Sequence, residues 1–217
     1  MRPYVDRMDA GRKLSERLFR YHRAPNTIVL GLPRGGVVVA AAVAKQLELP
    51  LDVFCVRKLG TPGYEELAMG AVSGCGAQIL NLDIIEKLGI KESQIQKETE
   101  IELQELKRRE GFYRCDRPPL SLAGKHVILV DDGLATGATL KAAIFAIYEA
   151  KPKKLTVAVP VGAGDSCIEL EQQVDEMICP FRPEPFRAVG RWYEDFSETP
   201  DEQVKELLAS PSAAPPC

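Results

Sequence analysis

Histidine and tryptophan are scarce in this chain: His22 and His126 are the only two histidines, there is one tryptophan, and the six cysteines (55, 75, 115, 167, 179 and 217) include no C-x-x-C pair. A Cys/His zinc centre needs clustered ligands, so none is expected, and the five interior thiols read as small apolar side chains packed in a core. An excess of one charge is also missing. The 28 Lys and Arg against 31 Asp and Glu leave −3, without the basic surplus that holds a protein on nucleic acid, so no nucleic-acid partner is expected. Long apolar runs are absent as well: Val37–Ala44, eight residues, is the longest, against roughly 20 for a membrane span. The opening Met-Arg-Pro-Tyr-Val-Asp-Arg lacks the apolar centre of a signal peptide, so a soluble cytoplasmic protein without a membrane partner is the expectation. No repeat of solenoid period is visible.

What remains is ordinary globular material, 217 residues with 45% hydrophobic and 27% charged side chains, enough for one domain. Asp9 to about Tyr21 reads as an opening helix. Thr27–Leu30, Val37–Leu47 and Leu51–Val56 then read as strand, helix and strand, a βαβ unit that makes the two strands parallel. Residues 59–75 hold four glycines and a proline and predict a loop. Gln78–Asn81 predicts a short strand, and Glu92–Glu110 an exposed helix supported by pairs such as Glu105–Arg109. The alternation then resumes with strand His126–Val130, helix Thr139–Ala150, strand Leu155–Val161, helix Asp165–Gln173 and strand Glu176–Cys179. From Pro180 the texture turns irregular and aromatic. A single domain over 1–217 is expected, with a core over about 9–179, a cap over about 180–198, a helix over about 200–209 that Thr199 can cap, and a frayed tail over 210–217.

The stretch VILVDDGLATGATLKAAI, 127–144, carries the chemistry. Buried aliphatics deliver Asp131 and Asp132 to the carboxyl end of a strand, where open α/β sheets bind ligands. The turn that follows suits a phosphate: Gly133, Ala135, Gly137 and Ala138 let backbone N–H groups close around oxygens, Thr136 and Thr139 add hydroxyls, and a helix start adds a positive dipole end. Two carboxylates beside a bare phosphate would repel it, so they should face neutral hydroxyls or a metal. Neither G-x-x-x-x-G-K-[ST] nor G-x-G-x-x-G spacing occurs in this segment, which sets aside the commoner nucleotide loops.

The pattern aliphatic strand, Asp-Asp-x-x-x-Thr-Gly-x-Thr, helix resembles the ribose-phosphate signature of the type I phosphoribosyltransferases. GLPRGG at 31–36, RKLG at 57–60, ELAMGAV at 66–72 and GRWYEDF at 190–196 extend the likeness to a little-characterised bacterial subfamily. The resemblance implies an α/β fold with a mostly parallel, Rossmann-like open sheet flanked by helices and a small C-terminal hood. It also implies a magnesium-dependent glycosyltransferase of nucleotide salvage that moves the 5-phosphoribosyl group of 5-phosphoribosyl 1-diphosphate (PRPP) to a nitrogenous base or similar acceptor and releases diphosphate. By the same match, Asp131 and Asp132 hold the ribose hydroxyls and magnesium, and Ala135, Thr136, Gly137, Ala138 and Thr139 hold the 5′-phosphate. Arg34, Gly35 and Gly36 meet the diphosphate, and Arg57 and Lys58 open a mobile loop that closes over it. In the hood, Phe186, Trp192 and Tyr193 are candidates to stack on the base, Trp192 foremost, and Glu194 or Asp195 to approach the metal, with Asp195 preferred. Many relatives are dimers, which makes a homodimer an option.

Two departures stand out. The 6-oxopurine enzymes carry a third acid where this chain has Ala135, so base help from that position is lacking. Gly133 replaces a usual aliphatic residue, from which a looser loop is expected. The alternative reading is a non-catalytic PRPP- or nucleotide-binding regulator on the same fold. A hydrolase using the same pocket has no nucleophilic Ser or Cys arrangement to support it.

Overall fold

The structure, a computed structural model, describes residues 3–74, 78–115 and 120–209. In chain order it contains α1 (Arg7–Arg17), a 3-10 turn (Phe19–Tyr21), β1 (Thr27–Gly31), α2 (Gly35–Leu47), β2 (Leu51–Val53), β3 (Val56–Thr61), β4 (Tyr64–Ser73), β5 (Gln78–Leu80), α3 (Leu82–Leu88) and α4 (Glu92–Arg114). There follow β6 (His126–Val130), α5 (Ala138–Glu149), β7 (Lys154–Ala158), α6 (Gly164–Glu171), β8 (Glu176–Ile178), a 3-10 turn (Val189–Trp192) and α7 (Asp201–Ala209).

β1, β6 and β7 are aliphatic because they are covered on both faces. Their side chains alternate between two cores. Val29, Ile128 and Val130 face α2 together with Leu14 of α1 and Leu18 just after it, while Ile28, Leu30, Val127 and Leu129 face Leu140, Ile144 and Ile147 of α5. All strands of this sheet are parallel, in the order β2-β1-β6-β7-β8, with Leu30, Leu129 and Val157 in register. α1 closes tightly on α2 because Gly11 has no side chain; a Cβ there would lie 2.5 Å from the Val39 carbonyl oxygen. The expected α/β fold, with its parallel sheet, flanking helices and C-terminal hood, is therefore present.

Three expectations need correction. Residues 59–75 are not mainly a loop: β3 and β4 pair as an antiparallel hairpin, extended by β5, with Pro62 and Gly63 at the turn. Its glycines serve sheet geometry, since register shifts flank Gly60 and a Cβ on Gly70 would strike the Ile79 carbonyl oxygen at 2.1 Å. Strand Leu51–Val56 is broken at Phe54 and Cys55, where the chain leaves the parallel sheet for this hairpin. α4 is longer than expected and not simply exposed, for Ile95, Leu106 and Tyr113 are buried beneath it. Among the thiols, Cys55, Cys167 and Cys179 are buried as expected and Cys115 is exposed. Cys75, Cys217 and the tail 210–217 lie outside the described residues. Among the described residues no helix is long and apolar enough to cross a membrane.

Candidate active site

The sheet order places the site. From β1 the chain moves outward to β2 on one side, whereas β6, β7 and β8 build outward on the other, so the connection reverses between β1 and β6. Loops leaving these strands diverge and open a crevice at their carboxyl ends. β1 ends at Gly31 opposite Val130, and the Leu32 N–H donates to the Val130 carbonyl at 3.0 Å. The loop into α2 is thereby laid against Asp131 and Asp132.

Two glycines set how close the loops come. A Cβ on Gly35 would stand 2.0 Å from Asp132 Oδ2, and one on Gly36 would stand 2.7 Å from Asp131 Oδ1. The amino end of α2 therefore rests directly on the acid pair. Burial raises the proton affinity of both carboxyls, most strongly for Asp131, and the neighbouring Asp132 charge pushes Asp131 the same way. Arg7, from the first turn of α1, opposes this. Its Nε donates to Asp132 Oδ2 at 2.7 Å, its Nη1 donates to the Ser197 carbonyl at 2.7 Å, and its guanidinium lies 3.8 Å from the Phe196 ring centroid. The Tyr193 hydroxyl donates to the Asp132 carbonyl oxygen at 2.5 Å, and burial raises the pKa of that phenol.

The turn after the acids is pinned from behind and open in front. The Leu134 N–H donates to the Val161 carbonyl, the Leu134 carbonyl accepts from the Ala163 N–H, and the Ser166 hydroxyl donates to the Ala135 carbonyl. Ala135, Thr136, Ala138 and Thr139 are exposed on the other side. Gly137 caps α5 at φ +75°, a left-handed conformation suited to glycine. At Gly133 a Cβ would meet Val189 Cγ1 at 2.4 Å, so the missing side chain leaves room for the hood against the turn.

A cleft of about 780 Å³ beside this turn is lined by Pro33, Arg57, Lys58, Lys97, Arg109 and Thr139, among others. It brings together the loop before α2, β3 up to the hairpin turn, one face of α4 and the start of α5. Lys58 is exposed at its wall, and Arg57 is held by Glu102 of α4 at 2.5 Å. The Pro33–Arg34 peptide is cis. Arg34 is ion-paired with Glu198 at the end of the hood.

A strand-end acid pair, a glycine-floored helix start and a small-residue turn thus meet at the carboxyl end of the parallel sheet. Residues 5–186 match the family model of the phosphoribosyl transferase domain. The chain belongs to this family. A Mycobacterium tuberculosis (strain H37Rv) protein described as a candidate phosphoribosyl transferase is 41% identical over 208 residues, which is 96% of this chain and 47% of that protein. The chain thus spans about half the length of the curated relatives it matches. The crystal structure of TT1426 from Thermus thermophilus superposes with a TM-score of 0.84 at 40% identity, covering 96% of this chain and 98% of that one. A local likeness to the bifunctional protein PyrR of Enterococcus faecalis is 49% over 47 residues, 21% of this chain and 26% of that one.

In this phosphoribosyl transferase domain the hood residues are placed as follows. Trp192 packs edge-on against Phe181, with ring centroids 5.1 Å apart, and its indole N–H donates to the Phe186 carbonyl at 3.2 Å. Tyr193 is fully buried between Tyr4 and Phe196. Asp195 is exposed, accepts the Ser197 N–H at 2.9 Å, and has its pKa lowered chiefly by that bond. Among the described residues no three His, Cys, Asp or Glu groups gather as a metal cluster. Asp131 and Asp132 still suit a hydrated Mg²⁺, which takes one or two carboxylates and completes its shell with water and phosphate oxygens. Arg7, Tyr193 and Glu198 at this site went unnoticed in the sequence or were given other roles. No local pattern marks Arg7, which meets Asp132 across 125 residues of chain.

Proposed function

We propose that this chain transfers the 5-phosphoribosyl group of PRPP to a nitrogenous base, releasing diphosphate. The observation that carries the proposal is the contact of Gly35 and Gly36 with Asp132 and Asp131, which sets a helix start for phosphate beside two carboxylates for sugar hydroxyls. The reaction is displacement at C1 of the ribose: the base nitrogen forms the new bond as the bond to diphosphate breaks. Asp131 and Asp132 hold the two ribose hydroxyls, and their negative charge favours the positive charge that grows on C1. The N–H groups of 135–139 and the Thr136 and Thr139 hydroxyls hold the 5′-phosphate. Arg34 gives up Glu198 and takes the diphosphate in its place, while Lys58 on the hairpin adds a second cation and helps exclude water. The chemistry that magnesium supplies when bound is neutralisation of the leaving diphosphate, with Asp131 and Asp132 as its protein ligands. With Ala135 in the turn, no carboxylate side chain there assists the base.

The test is incubation with PRPP, Mg²⁺ and a panel of purine and pyrimidine bases, following diphosphate and nucleotide. Base-dependent release is the expected result. Release without base would mean hydrolysis, and binding without turnover would mean a regulator. D131N/D132N should lose PRPP binding by at least about 100-fold; a double variant that still bound PRPP would overturn the assignment of the ribose site.

A further inference from the structure

Arg7 reaches the acid pair from outside the sheet and is not explained by the sugar-phosphate motif. Its side chain is 12% exposed, and so close to the start of α2 that a Cβ on Gly35 would lie 2.5 Å from its Nε. Its three contacts reach two separate parts of the chain: Asp132 after β6, and the end of the hood through the Ser197 carbonyl and the face of the neighbouring Phe196 ring. Asp132 is held at both ends, because its backbone carbonyl accepts the Tyr193 hydroxyl while its carboxylate accepts Arg7.

We propose that Arg7 is a positioning residue that fixes the Asp132 carboxylate in the orientation required for the ribose hydroxyls and makes that orientation depend on a seated hood. Two adjacent half-buried carboxylates repel each other, and a carboxylate on a single-bonded stem relieves repulsion by rotating away. A guanidinium that donates through Nε to one oxygen and is itself clamped through Nη1 and the aromatic ring removes that freedom before ligand arrives. Lysine cannot reproduce this, having one nitrogen where the geometry uses two. Arg7 therefore acts through Asp132, since its hydrogen bonds go to Asp132 and Ser197 and bypass the diphosphate loop.

The proposal rests on the phosphoribosyl transfer reading, and the experiment separates the two. Binding of PRPP, ribose 5-phosphate and inorganic diphosphate, each with Mg²⁺, is measured by calorimetry for wild type, R7Q, R7K and F196L, with thermal midpoints recorded alongside. Expected are PRPP and ribose 5-phosphate weakened about 10-fold or more in R7Q, less in R7K and F196L, and diphosphate bound as in wild type. In turnover, KM for PRPP should rise in R7Q by more than kcat falls. Unchanged PRPP affinity in R7Q overturns the proposal, and so does equal weakening of all three ligands, which would make Arg7 a charge on the diphosphate or a merely structural residue. If wild type itself binds neither ribose-bearing ligand, the functional reading fails and the role of Arg7 falls with it. If wild type binds them and R7Q matches it, only the Arg7 proposal fails.

Discussion

Gly35 and Gly36 act through what they lack. With Cβ positions at 2.0 Å and 2.7 Å from the carboxylate oxygens of Asp132 and Asp131, alanine at either site must displace an acid or lift the start of α2. G35A should lower kcat/KM for PRPP by about 100-fold or more, because a shift near 1 Å is enough to misplace reacting groups. Steady-state kinetics beside a thermal melt would separate this from unfolding. Glu198 has the opposite effect on the same loop. Its carboxylate already occupies Arg34, and an exposed pair of this kind is worth about 0–1 kcal/mol, so E198Q should lower KM for PRPP by up to about 5-fold. Away from the site, His126 donates or accepts at Thr156 Oγ1 over 2.9 Å, with Tyr21 edge-on to its ring. Burial, then the Lys154 charge, pushes its pKa down to about 4 from 6.5. The folded state thus resists a proton that the unfolded chain accepts, and the stability present above pH 6.5 is lost as pH falls toward 4. Allowing for its partial exposure, the loss is about 1–2 kcal/mol. Urea denaturation at pH 7 and pH 4.5 should show H126N losing correspondingly less than wild type.

Among elements, α4 is held by a contact its exposed character conceals. Arg114 in its last turn forks onto Asp52 of β2 with both N–O distances at 3.1 Å, and the Asp52 side chain is 2% exposed. Removing one partner of a buried pair strands the other, so D52A should cost about 3 kcal/mol, read as a lower urea midpoint. α4 illustrates why some elements are legible in the sequence and others are not. β1, β6 and β7 stand out because a strand covered on both faces is mostly aliphatic. The hairpin of β3 and β4 covers only some positions, Leu59, Met69 and Val72 among them, and fills others with glycine for bulges and close approach. That composition is also what a loop would have. The acid pair and its turn are equally legible, since strand, turn and helix supply them within one short stretch. Arg7 and Tyr193 are not, because they meet Asp132 from 125 and 61 residues away and only the closed fold brings them there.

Across the whole molecule, 28 Lys and Arg stand almost balanced against 31 Asp and Glu, so on the proposed function the anions would be met locally, by two loop backbones and a few placed cations. The same economy governs the hood, which has little regular structure of its own and leans on the start of the chain. The Tyr4 hydroxyl donates to the Pro160 carbonyl, and the Tyr4 N–H donates to the Trp192 carbonyl. In return, the Glu194 and Asp195 N–H groups donate to the carbonyls of Tyr4 and Val5 at 2.9 Å and 2.8 Å. Asp6 then caps α1 by accepting the Asp9 N–H, one residue before Arg7 reaches the acid pair. Deleting residues 1–6 should therefore leave the parallel sheet folded and release the hood. In hydrogen exchange, the amides of Glu194 and Asp195 should lose protection while those of β1 and β6 keep theirs. PRPP affinity should fall with them, because Phe196 and Ser197 would no longer brace Arg7 against Asp132. Unchanged protection at 194 and 195 would mean that the hood holds itself in place, and Arg7 would then need some support other than this ladder.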